Sequence, residues 1–175
     1  MSIMKARRPI LSQSKDLEGY VRKTLSELSN YRQRQKVFAK DGMITIRDLL
    51  KWTGREFLTK EMFMIDGYAL LAERLRTKEE KQFVEGVLGL KDPTILHDEY
   101  ERICSELESN MYKSSIYVQM NQSFKRMAAL TIKAIRNREP VLLVGETGCG
   151  KTTLAELLAQ VSDRKFYSIN CHKHT

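Results

Sequence analysis

Val141-Leu142-Leu143-Val144-Gly145-Glu146-Thr147-Gly148-Cys149-Gly150-Lys151-Thr152 decides how this chain is read. A short apolar run is followed by Gly-x-x-x-x-Gly-Lys-Thr, with every required position of a phosphate-binding loop filled. Glycines at 145, 148 and 150 let the backbone come close to an anion. The amides of the loop and of the helix that follows then point at it with the helix dipole behind them. Lys151 is placed to reach β- and γ-phosphates, and the Thr152 hydroxyl to coordinate Mg²⁺. The expected binding set is Gly145, Glu146, Thr147, Gly148, Cys149, Gly150, Lys151, Thr152 and Thr153, with ATP and Mg²⁺ as cofactors and Thr152 as the metal ligand. The bland alternative, a glycine-rich turn without a ligand, gives the lysine beside three glycines nothing to do.

Working outward, Phe124, Met127, Ala128, Ile132 and Ile135 recur at helical steps in a segment that must stop by Pro140. Val141–Val144 then reads as a buried strand, the loop opens a helix through Ala155 and Leu158, and Phe166–Asn170 reads as a second strand. Strand, loop, helix, strand is the opening of a parallel α/β sheet. Everything further upstream reads as helical. Leu17, Tyr20, Val21, Leu25, Leu28 and Tyr31 form one stripe, ending before Asp41-Gly42. Thr45-Ile46-Arg47-Asp48 has capping-box spacing and predicts a helix from about Ile46 to Trp52, closed near Gly54. Met62, Ile65, Tyr68, Ala69, Ala72 and Leu75 give another amphipathic pattern, and Phe83, Val84, Val87 and Leu88 a short one before Gly89. Asp92-Pro93 breaks the pattern, so 92–122 reads as a connector with one helix around Leu96–Leu107. The expected fold is α-rich α/β: a helical part over 1–91, the connector over 92–122, and the start of a parallel α/β core over 123–175.

Composition narrows the class. The chain has 175 residues, 42% hydrophobic and 30% charged, as in soluble globular proteins. No apolar run approaches the roughly 20 residues of a membrane span, and basic Met1–Pro9 lacks a following apolar signal segment. Cys104, Cys149 and Cys171 are odd in number and widely spaced, which suits reduced thiols in an intracellular compartment. Of the net charge of +8, seven units lie in residues 1–40, where ten Lys and Arg face three acids. Such a segment can meet RNA or another polyanion. Without an aromatic or glycine-rich RNA-binding pattern, a solvated helix face is the preferred reading.

Two other constellations carry less. Met62-Phe63-Met64-Ile65-Asp66 looks like an acidic strand for Mg²⁺, yet it precedes the loop and sits in a helical stripe. Cys171-His172-Lys173-His174 is one contiguous run, whereas zinc sites draw their ligands from separated pairs. Only 23 residues follow Thr152, and none forms a strand ending in the acid that would polarise an attacking water. The isolated chain is therefore expected to bind ATP without turning it over. A self-contained helical interaction module with a regulatory nucleotide switch is the alternative, and that missing acid argues against it. A kinase-like P-loop enzyme fits poorly with the long helical stretch ahead of the loop.

A resemblance adds to these readings. Glu139–Thr153 and Tyr167-Ser168-Ile169-Asn170-Cys171-His172-Lys173-His174-Thr175 resemble the start of a module in the midasin family of dynein-like AAA+ ATPases. Met43–Trp52 and Asp66–Arg76 resemble the small helical lid that ends the preceding module. The resemblance implies an internal stretch that spans one module's lid and the start of the next module's core, lacking the core of the first module and most of the core of the second. It implies six modules in a ring, a nuclear location in nucleolus and nucleoplasm, and use of ATP to release assembly factors from the precursor of the 60S ribosomal subunit. Partners would be that particle, its assembly factors and neighbouring AAA+ modules. It further implies that Arg47, at the start of the lid helix, is the sensor-2 arginine that reads the γ-phosphate bound by the preceding module.

Overall fold

A computed structural model of the chain describes residues 15–34, 44–55, 57, 59–75, 77–92 and 94–170. It divides into two compact units, residues 1–95 and 96–175. Among the described residues all regular structure is helical.

The first unit is built on α1 (Lys15–Arg34), α2 (Ile46–Gly54), α3 (Lys60–Gly67), a π-helical turn (Tyr68–Ala72) and α4 (Lys78–Leu88). In α1, Val21, Thr24 and Leu28 are buried at three- and four-residue steps, the stripe expected of an amphipathic helix. Arg22 and Lys23 lie on its solvated face, within 3.1 and 3.9 Å of Glu18 and Glu27. The remaining basic residues of 1–40 lie outside the described side chains. The capping box at Thr45 forms as the spacing predicts. The Asp48 amide donates to Thr45 Oγ1 at 3.2 Å, and the Thr45 amide donates to the Asp48 carboxylate at 2.7 Å. Arg74 closes on the same carboxylate at 2.8 Å. Thr59 caps α3, and Thr77 with Glu80 forms a second box at α4.

The centre of this unit is aromatic. Trp52 stacks on Phe63 with ring centroids 4.2 Å apart, Phe57 tilts against the same ring at 4.6 Å, and Tyr20 meets it edge-on at 6.1 Å. The Trp52 indole N–H donates to the Phe63 carbonyl at 2.8 Å, so burying its polar atom leaves nothing unpaired. Gly67 makes this packing fit, since a Cβ there would lie 2.7 Å from the indole. The amphipathic reading of 62–75 is corrected in part: Lys60, Glu61 and Met62 are exposed at the start of α3, and Phe63 through Tyr68 are then all buried, so the second half of the helix is covered all round. Asp66, which ended the acidic look-alike, is helical and buried against Arg55 at 3.7 Å.

The second unit packs α5 (Thr94–Asn110), α6 (Gln122–Arg136) and α7 (Lys151–Val161) around Ile103, Cys104, Leu107, Phe124, Ala128, Ala129, Leu154 and Leu157. Alanines 128 and 129 let the helices approach closely. Ion pairs Lys125–Glu101, Lys133–Glu99 and Arg136–Glu106, at 2.6, 3.1 and 2.7 Å, join α6 to α5. Burial pushes the Glu99 carboxyl up, but Arg102 and Lys133 outweigh it and hold it below the usual carboxylate range. The helix expected around Leu96–Leu107 is the seventeen-residue α5, whose Ile103, Cys104 and Leu107 pack into this unit.

The strands at Val141–Val144 and Phe166–Asn170 do not form. Both segments lie outside regular structure, with Leu142 and Ile169 each 86% exposed. The reason is physical: a helix satisfies its backbone internally, whereas a strand needs a neighbour to receive its hydrogen bonds, and none lies beside either segment among the described residues. The parallel α/β half of the expected fold is therefore not seen, and the helical half is.

Candidate functional site

The loop is positioned by the helix behind it. Leu154 and Leu157 bury one face of α7, and Gly150 sits against α6, where a Cβ would fall 3.1 Å from the Phe124 ring. Gly148 and Gly150 adopt φ of 86° and 85°, a left-handed conformation that other residues rarely take. At Gly148 the space a Cβ would fill is open, so the backbone itself faces outward. The glycine spacing read from sequence thus serves two jobs here: Gly148 turns the chain, and Gly150 both turns it and lets it touch α6.

Helix α7 begins without a side-chain cap, because its N-cap is Gly150. The Leu154 amide is satisfied by the Gly150 carbonyl at 2.8 Å, while the amides of Lys151, Thr152 and Thr153 have no carbonyl one turn earlier within the helix. Lys151 turns back over the loop. Its ammonium donates to the carbonyls of Gly145 and Glu146 at 2.9 and 2.7 Å and to Cys149 Sγ at 3.3 Å. Thr152 is exposed on the first turn. The start of α7 thus brings together a positive side chain, amides without a side-chain cap and an exposed threonine, a donor set suited to a phosphate chain with its cation.

Beside the loop runs a groove of about 490 Å³. Phe124 and Met127 supply apolar surface, Thr153 and Gly148–Gly150 one wall, and Tyr117, Val118, Gln119 and Asn121 another. The last four fell within the presumed connector and were missed. The signal that could have found them is the alternation of Ile116, Val118 and Met120 with Tyr117 and Gln119, which is reproduced in their burial. A larger cavity of about 590 Å³, lined by Thr131, Ile135, Val141 and Phe166 among others, includes no residue of the loop. Thr131 Oγ1 is buried there without a hydrogen-bond partner.

Arg47 lies in the first unit, exposed in the first turn of α2. Cys171-His172-Lys173-His174 lies outside the described residues, and among those described no group of three metal-ligating side chains occurs. No described helix is long and apolar enough to cross a membrane.

Residues 105–175 match the family described as the P-loop containing dynein motor region, AAA_7. Loop, helix start and family match together give residues 105–175 the P-loop of a dynein-like motor region. Within that class the chain is a relative of midasin. It is 38% identical to the midasin of Dictyostelium discoideum over 168 residues, covering 86% of this chain and 3% of that protein. It is 31% identical to the midasin of Giardia intestinalis over 156 residues, covering 77% of this chain and again 3% of the relative. The chain thus spans about 3% of the length of the curated relatives it matches. No solved structure matches it.

Proposed function

We propose that this chain binds Mg·ATP at Gly145–Thr153 as part of a midasin-type AAA+ ATPase. The observation that carries the reading is the uncapped start of α7, where Gly150 leaves the first amides without a side-chain partner and Lys151 and Thr152 stand beside them. The amides and Lys151 would hold the β- and γ-phosphates, Thr152 would hold the cation, and the groove lined by Tyr117–Gln119 and Met127 would take the nucleoside end. Mg²⁺ supplies neutralisation of the phosphate charge when bound. The chain by itself is proposed to bind without turnover, since no described strand offers a second acid beside the loop.

On the resemblance to midasin, the wider proposal is that the long protein couples ATP use to release of assembly factors from a precursor of the large ribosomal subunit in the nucleus. Its partners there would be that particle and neighbouring AAA+ modules. Residues 1–91 are proposed as the lid of one module and 123–175 as the start of the next core. Arg47, exposed at the head of α2, is proposed as the sensor-2 arginine of the preceding module.

One experiment covers the site. ATP affinity is measured by calorimetry for the chain and for Lys151→Ala, with an expected loss of at least about a hundredfold on removing a charged donor to phosphate. Equal affinity in the two proteins overturns the assignment. In the full-length ATPase, Arg47→Ala is expected to weaken ATP binding or turnover; if neither changes, the sensor role is wrong.

A further inference from the structure

We infer that Gln160, in the last turn of α7, is a positioning residue for the nucleoside side of this site, acting through the strap of residues 114–120. The inference rests on the nucleotide reading and adds how the groove keeps its shape. Gln160 Oε1 accepts from the Ser114 hydroxyl at 2.7 Å and the Ser115 amide at 3.1 Å, with the Ser115 hydroxyl at 3.5 Å. All three groups donate to the same oxygen, so it is the acceptor end of the Gln160 amide that holds them. The Ser114 oxygen in turn accepts from the Ile116 amide at 3.0 Å. A short relay, from the Ile116 N–H through the Ser114 hydroxyl to Gln160, therefore fixes the start of the strap on the helix.

From that anchor the strap runs back towards the loop. Ile116, Val118 and Met120 pack inward against the core of the unit, and Tyr117, 92% exposed, and Gln119 face out along the groove. The far end closes where the Asn121 amide donates to the Gln119 carbonyl at 2.9 Å and the Asn121 side chain caps α6. The lengths agree: from Lys151 to Gln160 a helix rises about 13 Å, and four extended residues from Ser115 to Gln119 span about 13 Å. One helix thus carries the phosphate-binding residues at its first turn and the latch of the opposite groove wall at its last. Loss of the latch frees the wall that would meet base and ribose, and leaves Lys151, Thr152 and the loop amides untouched.

The test compares Mg·ATP with inorganic tripolyphosphate, which has the phosphates without the nucleoside, using calorimetry on the full chain. Gln160→Leu, which removes the acceptor at similar size, is expected to weaken ATP about three- to tenfold while changing tripolyphosphate less than about twofold. Gln160→Glu keeps the acceptor and is expected to retain the ATP preference. Ser114→Ala, which removes the donor from the other side, should lower that preference in the same direction. Circular dichroism of each variant reports whether the helices are intact. An unchanged ratio of ATP to tripolyphosphate affinity in Gln160→Leu and Ser114→Ala overturns the latch, as does failure of Gln160→Glu to hold it. Failure of the unmutated chain to bind either ligand overturns the nucleotide reading itself, and the latch with it.

Discussion

The helix that starts at Thr45 and the helix that starts at Gly150 meet the same demand in opposite ways. Each leaves its first amides without intrahelical acceptors. At Thr45 a hydroxyl and a carboxylate close the turn, and Arg74 closes on the carboxylate. At Gly150 no side chain is present to do this, and the nearest cation bends back over the loop carbonyls instead. The α3, α4 and α6 starts follow the Thr45 pattern, with Thr59, Thr77 and Asn121 as caps. The difference extends to the units that contain them. The first buries Trp52, Phe63, Arg55 and Asp66, whereas the second keeps Leu142, Val144, Tyr167 and Ile169 exposed. Four helix starts are thus capped by a side chain of their own, and the start at Gly150 is left open by glycine, as the proposed phosphate site requires.

The most severe test of this contrast is Trp52→Ala. The substitution empties the centre of the first unit, removes the donor to the Phe63 carbonyl and leaves Gly67 facing a hole. A loss of about 3–5 kcal/mol is expected, from the cavity together with the unpaired carbonyl. Hydrogen exchange should show it as faster amides throughout 46–72, and denaturant unfolding as a lower midpoint. A loss under about 1 kcal/mol would mean the aromatic centre does not hold this unit together.

These features were unequally legible from sequence. The loop was readable because Gly148, Gly150, Lys151 and Thr152 act through their own backbone and first turn, so their spacing contains most of the geometry. Thr45 and Asp48 were readable for the same reason: the two ends of a capping box lie only three positions apart. The Trp52–Gly67 contact was not, since it joins positions fifteen apart and its signal is the absence of a side chain. Val141–Val144 misled, because an apolar run states what a segment would bury and not whether a partner strand lies beside it. The 114–120 strap is hard to read because its pattern alternates by two over only a few residues, and because Gln160 gives no sign in sequence of the serines it meets more than forty positions away.

A second test sets an open thiol against a closed one. Cys149 is exposed in the loop, whereas Cys104 is buried, with burial and the nearby Glu101 pushing its thiol up to about 11. At pH 8 only about one Cys104 in a thousand carries the reactive thiolate, by the difference between pH and pKa. In a Cys171→Ser background, iodoacetamide is expected to label Cys149 at least about a hundredfold faster than Cys104, read by peptide mass spectrometry. Mg·ATP should slow the first reaction and leave the second alone. Labelling of Cys149 that ignores nucleotide would place the ligand away from the loop.

The smallest expected effect concerns the closed helix start itself. Burial pushes the Asp48 carboxyl up, but hydrogen bonds from the Thr45 hydroxyl and amide, with the Arg74 charge, outweigh it and hold it below the usual carboxylate range. A carboxylate depressed in the folded state stabilises the fold above its unfolded pKa of about 4, and that contribution drains away as pH falls through the lower folded value. Thr45→Ala removes the cap and one of the bonds to the carboxylate, and is expected to cost about 1 kcal/mol at pH 7. Part of that cost depends on Asp48 being charged, so the gap between variant and parent should narrow when urea unfolding is repeated near pH 3, without closing, because the Asp48 amide still loses its acceptor. Thr77→Ala, at the more exposed box with its longer 3.4 Å bond to Glu80, serves as the comparison and should cost less, about 0.5 kcal/mol. A Thr45→Ala penalty that stays the same from pH 7 to pH 3 would show that Thr45 acts on the helix amide alone, and that Asp48 owes its low pKa to Arg74.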